Sequence, residues 1–293
     1  MSDHYRFPVG NIECWALCDG ALPYPPNWFF SNAAPPDVES ELRARQLPTD
    51  HVLSPYTCLL VRSAAECVLV DTGAGGLAPG TGQLPQKLQE LGVSPQQVTT
   101  VVLTHGHPDH IGGVLDVAGK PAFPNARYVM SCVEHEFWAQ GPSLDRLALE
   151  PFIKDLMLSS AQRNLPPLEK QLELLAGEAE IAPGIRLLAA PGHTPGHMAV
   201  LLCSGKEQML HISDAVLHPV HLAHPDWRAV FDLDPEAAGS TRQKLLDWAA
   251  ADRIPVLAYH FPYPGHGAIL KRGPAWEWEA RGEDSARTAE SVA

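Results

Sequence analysis

Thr104-His105-Gly106-His107-Pro108-Asp109-His110 places four metal-capable side chains within six residues, directly after the apolar run Val101-Val102-Leu103. Such a run reads as a short buried strand, so His105, His107, Asp109 and His110 fall where the strand ends and the chain can curl around an ion. Imidazole and carboxylate together, without thiolate, suit Zn²⁺ or a similar first-row divalent metal, with Mn, Co or Fe also fitting. A lone His-x-His arises by chance on surfaces; the full His-x-His-x-Asp-His is far more specific.

Three further candidates stand at matching places along the chain. His193 lies in the turn Pro191-Gly192-His193-Thr194-Pro195-Gly196-His197, after the strand-like Ile185-Arg186-Leu187-Leu188-Ala189. Asp214 ends Met209-Leu210-His211-Ile212-Ser213, and His260 follows Ile254-Pro255-Val256-Leu257-Ala258-Tyr259. Each stands at or just past a predicted strand end, which suits a site built on loops at one edge of a sheet scaffold. Seven ligands exceed one tetrahedral zinc but match two metals sharing a carboxylate and a water or hydroxide.

These residues, together with Val70-Asp71-Thr72-Gly73, occur in the order of the metallo-β-lactamase superfamily, which the chain resembles from about Val9 to Leu270. The resemblance implies an α/β fold of the α+β type, a four-layer αββα sandwich with metals at one edge of two sheets. It further implies that His105, His107 and His193 hold one metal, that Asp109, His110 and His260 hold the other, and that Asp214 bridges them. The family's best-known antibiotic hydrolases carry Cys where this chain has Asp214, so that activity is not expected. His260-Phe261-Pro262-Tyr263-Pro264-Gly265-His266-Gly267, Phe231-Asp232-Leu233-Asp234-Pro235 and Asp19-Gly20 resemble the methyl parathion hydrolase and lactonase-like group. A tyrosine often found in those lactonases just after the bridging Asp is absent from Asp214-Ala215-Val216-Leu217-His218.

The expected activity is that of a binuclear metal-dependent hydrolase. A metal-bridging hydroxide attacks a lactone or aryl ester carbonyl, and a phosphotriester is the alternative substrate on the same site. No protein nucleophile is needed, and no Gly-x-Ser-x-Gly elbow occurs. An iron-dependent oxidoreductase like the persulfide dioxygenases is the alternative class, because the same ligands accept iron. Asp109 reads either as a ligand alone or as a ligand that also orients the nucleophile and passes a proton. Asp71 reads as a partner beneath a ligand imidazole or as a turn residue before Gly73, and His197 as a structural or second-layer group. His211 reads as a satisfied core residue.

The pocket wall is expected to draw on Trp28, Phe29 and Phe30, although these rings could equally pack on the body or a partner subunit. His218, Phe261 and His266 are further candidates, with His218 alternatively part of a polar loop alongside His221 and His224.

A net charge of −13 repels phosphate backbones and anionic membranes, leaving a small uncharged ester-like molecule as the expected partner. No stretch approaches the ~20 apolar residues of a membrane span, and Met1–Val9 lacks the apolar core of a secretory signal. The six cysteines are dispersed in apolar runs rather than paired for zinc, as expected of reduced thiols, and with the missing signal they point to the cytoplasm. The resemblance also implies a homodimer.

Because the ligands span residues 105–260 and must converge, residues 1–280 are expected to form one domain, with 281–293 a frayed tail. Periodicity predicts a first strand at 11–18, a proline-rich loop at 21–36 and a helix at 37–45 capped by Asp37. Strands are predicted at 57–61, 67–70 and 126–130. A helix is predicted at 82–91 and another opening at Asp234-Pro235 and running to about residue 250. Residues 144–175 read as helix-rich, broken near Pro166-Pro167, with Phe152, Ile153, Leu156 and Met157 at helical spacing, as core residues or as an inserted helical segment that covers the site.

Overall fold

The computed structural model describes residues 4–63 and 66–282. Near-continuous apolar runs such as Cys67–Val70, 198–202 and Val256–Ala258 mark the central strands, as expected when both faces of a sheet are covered. The first sheet runs in chain order through β1 (His4–Val9), β2 (Ile12–Tyr24), β3 (Val52–Arg62), β4 (Cys67–Val70), β5 (Thr100–Val102), β6 (Arg127–Ser131) and β7 (Leu172–Leu175). The second is formed by β8 (Ala179–Ala182), β9 (Ile185–Ala189), β10 (Met198–Ser204), β11 (Glu207–Ser213), β12 (Val256–Ala258), β13 (His266–Arg272) and β14 (Ala275–Ala280). Pairing is antiparallel from β1 to β4 and parallel from β4 to β7. In the second sheet only β11 and β12 run parallel.

Side-chain alternation decides the layers. Leu59, Val61, Val68, Val70, Val102 and Val129 of the first sheet meet Leu187, Val200, Leu202 and Met209 of the second in a shared core. The intervening residues face outward. Leu60, Leu69 and Val101 pack with helices α3 (Leu84–Glu90), α5 (Cys132–Ala139) and α6 (Pro151–Asn164), through Leu88, Trp138 and Ala161. Leu201, Leu210, Ile212 and Val256 pack against α8 (Pro235–Asp252), through Leu245, Leu246 and Ala249. Helix, sheet, sheet and helix thus form the expected αββα sandwich. Shorter helices are α1 (Pro26–Phe29), α2 (Pro35–Ala44), α4 (Pro108–Ile111) and α7 (Val220–Ala223).

Helix α8 opens at Asp234-Pro235 as expected, and the Asp234 carboxylate caps it, accepting the Ala237 N–H at 3.0 Å. Elsewhere the local reading needs correction. The first strand is β1, and β2 continues to Tyr24, so the proline-rich loop begins only there. Helix α2 starts at Pro35, whose fixed φ suits the first turn, and Asp37 lies inside it rather than at the cap. In the segment expected to be helix-rich, Leu172–Leu175 is strand β7, too short to display an alternation and recruited by parallel pairing with β6. The helix α5 was not expected, although Ser131 and Glu134 have the spacing of a capping box; in the structure that side-chain cap is not formed, because Glu134 bonds elsewhere. The expected frayed tail falls mainly on 283–293, outside the described residues; Glu279 and Ala280 belong to β14. All six cysteines are free, and no helix among the described residues is long and apolar enough to cross a membrane.

Candidate metal centre

Two parallel strand pairs, β4–β5 and β11–β12, end at the same edge and deliver their following loops to one place. Asp71 follows β4, His105 to His110 follow β5, and Asp214 and His260 follow β11 and β12. His193 arrives from the turn after β9. Backbone strain concentrates here. Asp71 and Ser213 both adopt left-handed conformations, at φ +60° and +43°, which side-chain-bearing residues seldom take outside functional turns.

The seven side chains converge in two groups. His105, His107, His193 and Asp214 form one; Asp109, His110 and His260 form the other. Asp214 faces both. Its Oδ2 lies 3.2 Å from His193 Nε2, 3.8 Å from His105 Nε2 and 3.1 Å from His260 Nε2, and its Oδ1 lies 3.2 Å from His110 Nε2. Asp109 Oδ2 is 3.5 Å from His260 Nε2 and 3.9 Å from His110 Nε2.

The rings are aimed from behind. His110 Nδ1 donates to Asp71 at 2.8 Å, His193 Nδ1 to Asp232 at 3.0 Å, and His260 Nδ1 to the Pro55 carbonyl at 3.0 Å, with Ser54 Oγ 2.8 Å away. Each contact fixes ring orientation and leaves Nε2 turned inward. Asp71 also accepts from the Thr104 backbone N–H and hydroxyl, both at 2.8 Å, tying β4 to the ligand loop. Behind Asp232 stands Arg242, whose guanidinium lies 3.6 Å away and donates to the Ala215 and Trp227 carbonyls.

This donor set fits cations. His105 Nε2 and His110 Nε2 are buried without a hydrogen bond. His107 Nδ1 and His193 Nε2 face each other at 2.9 Å although the proton of His193 is engaged by Asp232. Converging buried lone pairs of this kind are what a divalent ion satisfies. Burial and neighbouring imidazoles hold His105 and His107 well below the usual histidine range, hence neutral. Burial alone would raise Asp214, but His260, His110 and His105 outweigh it and keep the carboxyl well below its ordinary value.

Glu134 was not among the expected site residues, and its sequence setting suggests only a helix start, yet it clamps both histidine loops. Its Oε1 accepts from Gly106 N–H at 2.9 Å and Trp138 Nε1 at 2.7 Å; its Oε2 accepts from Thr194 Oγ1 at 2.7 Å and Gly196 N–H at 2.9 Å. Gly106 is required by the same packing, because a Cβ there would lie 2.3 Å from Trp138 Nε1. At Gly192, φ is +134° and a Cβ would meet the α8 backbone at 2.1 Å. The Gly106, Thr194 and Gly196 donors lie 28, 60 and 62 residues from Glu134 along the chain and become its neighbours only through packing, which is why spacing could not reveal them.

His197 is buried beside the groups, but its Nδ1 donates to the Ala190 carbonyl at 2.9 Å and its Nε2 accepts the Asp214 N–H at 3.1 Å. Both nitrogens are occupied. His197→Ala is therefore expected to leave metal stoichiometry unchanged, counted by elemental analysis, while costing about 1–3 kcal/mol of stability through the orphaned Asp214 N–H. Loss of one metal per chain would contradict this arrangement. His211 lies in the core without a hydrogen bond at either ring nitrogen, so it is buried but not the satisfied residue expected.

A cavity of about 90 Å³ opens onto both groups. Trp28 and Phe29 line it as expected, joined by Tyr24, Leu217 and Phe231 and, from α6, by Ile153, Leu156 and Met157. Phe152, on the other side of α6, is exposed. Four expectations fail. Phe30 is turned inward against His221, Trp227 and His218. His218 lies behind Phe29 and Phe30 and accepts the Val220 N–H. Phe261 packs on Trp278, and His266 stacks on Phe7 at 4.2 Å. These residues follow or flank site residues along the chain, but strand and turn geometry points them into the hydrophobic layers.

Comparison with known proteins gives the same picture. The N-acyl homoserine lactonase of Bacillus thuringiensis is 29% identical over 168 residues, 50% of this chain and 58% of that protein. A probable metallo-hydrolase of Mycobacterium tuberculosis is 31% identical over 186 residues, 55% of this chain and 56% of its own. The chain thus spans little more than half the length of these curated relatives. Among solved structures, AidC, a dizinc quorum-quenching lactonase in complex with a product, N-hexnoyl-L-homoserine, superposes with a TM-score of 0.91 at 28% identity, covering 96% of this chain and 98% of that one. The hydrolase AbOPH superposes at 0.85 and 26% identity, covering 96% and 98%. The Metallo-beta-lactamase superfamily profile matches residues 52–257. That match runs from β3 through β12 and takes in the loops bearing six of the seven converging side chains, all but His260, so the chain belongs to the metallo-β-lactamase superfamily.

Proposed function

We propose that this protein is a binuclear metal-dependent hydrolase that opens lactones or cleaves aryl esters, with residues 1–280 acting as one domain. The observation that carries the reading is Asp214, whose two oxygens approach imidazoles of both ligand groups within 3.1–3.8 Å. His105, His107 and His193 would hold one cation, and Asp109, His110 and His260 the other, with Asp214 shared. Zinc is the favoured metal for both, on the nitrogen and carboxylate donors and on the dizinc relative AidC. When bound, such a pair supplies Lewis acidity and lowers the pKa of water enough to give a nucleophile near neutral pH.

The chain's own residues do the rest. Asp71, Asp232 and Pro55 hold the imidazoles in the tautomers that present Nε2. Asp109 is the one partly exposed carboxylate among the seven, so it is positioned to orient the incoming water and to carry a proton between it and the departing oxygen. Trp28, Leu77, Ile153, Leu156, Met157 and Phe231 give the cavity an apolar wall. Among the described residues no Lys or Arg lines it, so an uncharged acyl substrate suits it best. The resemblance to lactonases supports the carboxyl reading over the phosphoryl one.

The test is kcat/KM of metal-replete protein on an acyl lactone and a dialkyl aryl phosphate. The lactone is expected to lead by at least ~10²-fold, about 2.7 kcal/mol in transition-state stabilisation. The reverse preference would make phosphotriesters the substrate class, and activity on neither would overturn the hydrolase reading.

A further inference from the structure

Once the side chains already committed to the ligand groups are set apart, the cavity wall is almost wholly apolar. Ser54 is engaged with His260 Nδ1 at 2.8 Å. Tyr24, at the end of β2, also lines the cavity, and its hydroxyl is hydrogen-bonded to that of Tyr56 on β3. The direction of that bond follows from burial. Tyr56 is fully buried, and Tyr24 is the hydrogen-bond partner its hydroxyl has among the described residues. If Tyr56 did not donate to Tyr24, its own proton would be stranded in the core without a partner. Tyr24 is thus the acceptor, and its own proton is free to point into the cavity.

The ring is held as well as the hydroxyl. Trp28 and Phe231 lie 5.8 Å and 6.3 Å from it, and Phe29 lies 6.0 Å away. Burial, with Asp109 adding to it, pushes the Tyr24 phenol above its ordinary value. A fixed donor in a dry wall is the arrangement that stabilises charge as it develops, because no reorganisation is needed at the moment of reaction.

Resting on the hydrolase reading above, we propose that Tyr24 is a catalytic residue whose hydroxyl donates a hydrogen bond to the leaving oxygen of the substrate, with Tyr56 as the positioning residue that aims it. No proton is transferred in this step. As the acyl C–O bond breaks, its electron pair settles on the leaving oxygen, and the Tyr24 O–H holds that charge until Asp109 delivers the proton taken from the attacking water.

The role predicts a dependence on leaving group that a merely structural tyrosine would not show. Holoenzyme, Tyr24→Phe and Tyr56→Phe are compared on an alkyl-leaving acyl lactone and on a p-nitrophenyl ester of similar acyl chain, with metal content and melting temperature measured for each. For Tyr24→Phe, kcat on the lactone is expected to fall about 10²-fold with KM within a few-fold, while the p-nitrophenyl ester, whose leaving oxygen needs little help, loses only a few-fold. Tyr56→Phe is expected to show the same pattern more weakly. Equal losses on both esters, or none on the lactone with wild-type turnover intact, would overturn the inference alone. A wild type inactive on both esters would overturn the hydrolase reading and this inference with it.

Discussion

Asp214→Ala is expected to lower metal content below two per chain and to cut kcat/KM on a responsive ester by at least ~10³-fold, about 4 kcal/mol in transition-state stabilisation. The reason is electrostatic. Two divalent cations ~4 Å apart repel by on the order of 15 kcal/mol at an effective dielectric constant near 20. The Asp214 carboxylate lies between the two ligand groups, 3.1 Å from His260 and 3.2 Å from both His110 and His193, and is the shared anion that offsets this. Alanine would leave four imidazoles facing a space with no negative charge between them. Elemental analysis and turnover should fall together. Two metals per chain with near-normal turnover would refute the shared role of Asp214.

Glu134→Ala is expected to be the most destabilising single change near the site, by about 4 kcal/mol, and to lower the melting temperature by roughly 10 °C. Four donors converge on this buried carboxylate: the Gly106 and Gly196 N–H groups, the Trp138 indole N–H and the Thr194 hydroxyl. Removing the acceptor orphans them all and leaves a void beside Trp138, both recognised routes to large losses. Glu134 also joins the loop of His105 and His107 to the turn of His193 through α5. Metal affinity should therefore fall with stability even though Glu134 is not among the converging ligands. Glu134→Gln retains the shape but turns an NH₂ group toward two of the donors, and an intermediate loss is expected. A melting temperature within 2 °C of wild type for the alanine variant would show that the clamp contributes little.

Much of this architecture was legible along the chain. The apolar runs at 101–103, 185–189 and 254–259 correspond to β5, β9 and β12, and the metal-capable residues that follow them come together. Such runs are readable because burying both faces of a strand demands apolar residues in sequence, and because loops at strand ends are free of that demand. The αββα layering followed from family resemblance rather than from periodicity, since alternation is invisible when both faces are apolar. The strand β7 went unread because four residues are too few to show an alternation, and α5, although Ser131 and Glu134 have capping-box spacing, has no apolar stripe long enough to announce it.

The candidate pocket shows the limit more sharply. Trp28, Phe29 and Phe30 are consecutive, yet the first two reach the cavity and the third fills the core beside His221. Ile153, Leu156 and Met157 look like core residues by spacing, but α6 lies over the cavity and presents them to it. Tyr24 was read as part of a loop and is the end of a strand.

The sequence by itself determined which side chains could serve as ligands, their order and their placement at strand ends, because these depend on residue chemistry and on local burial. Only the tertiary structure decided which groups stand behind those ligands and which line the cavity. Glu134 with Gly196, Asp232 with His193, and Tyr24 with Tyr56 lie 62, 39 and 32 residues apart and meet through the packing of two sheets and their helices. Hydrogen bonds act over about 3 Å of space whatever the separation along the chain, so no local pattern records them.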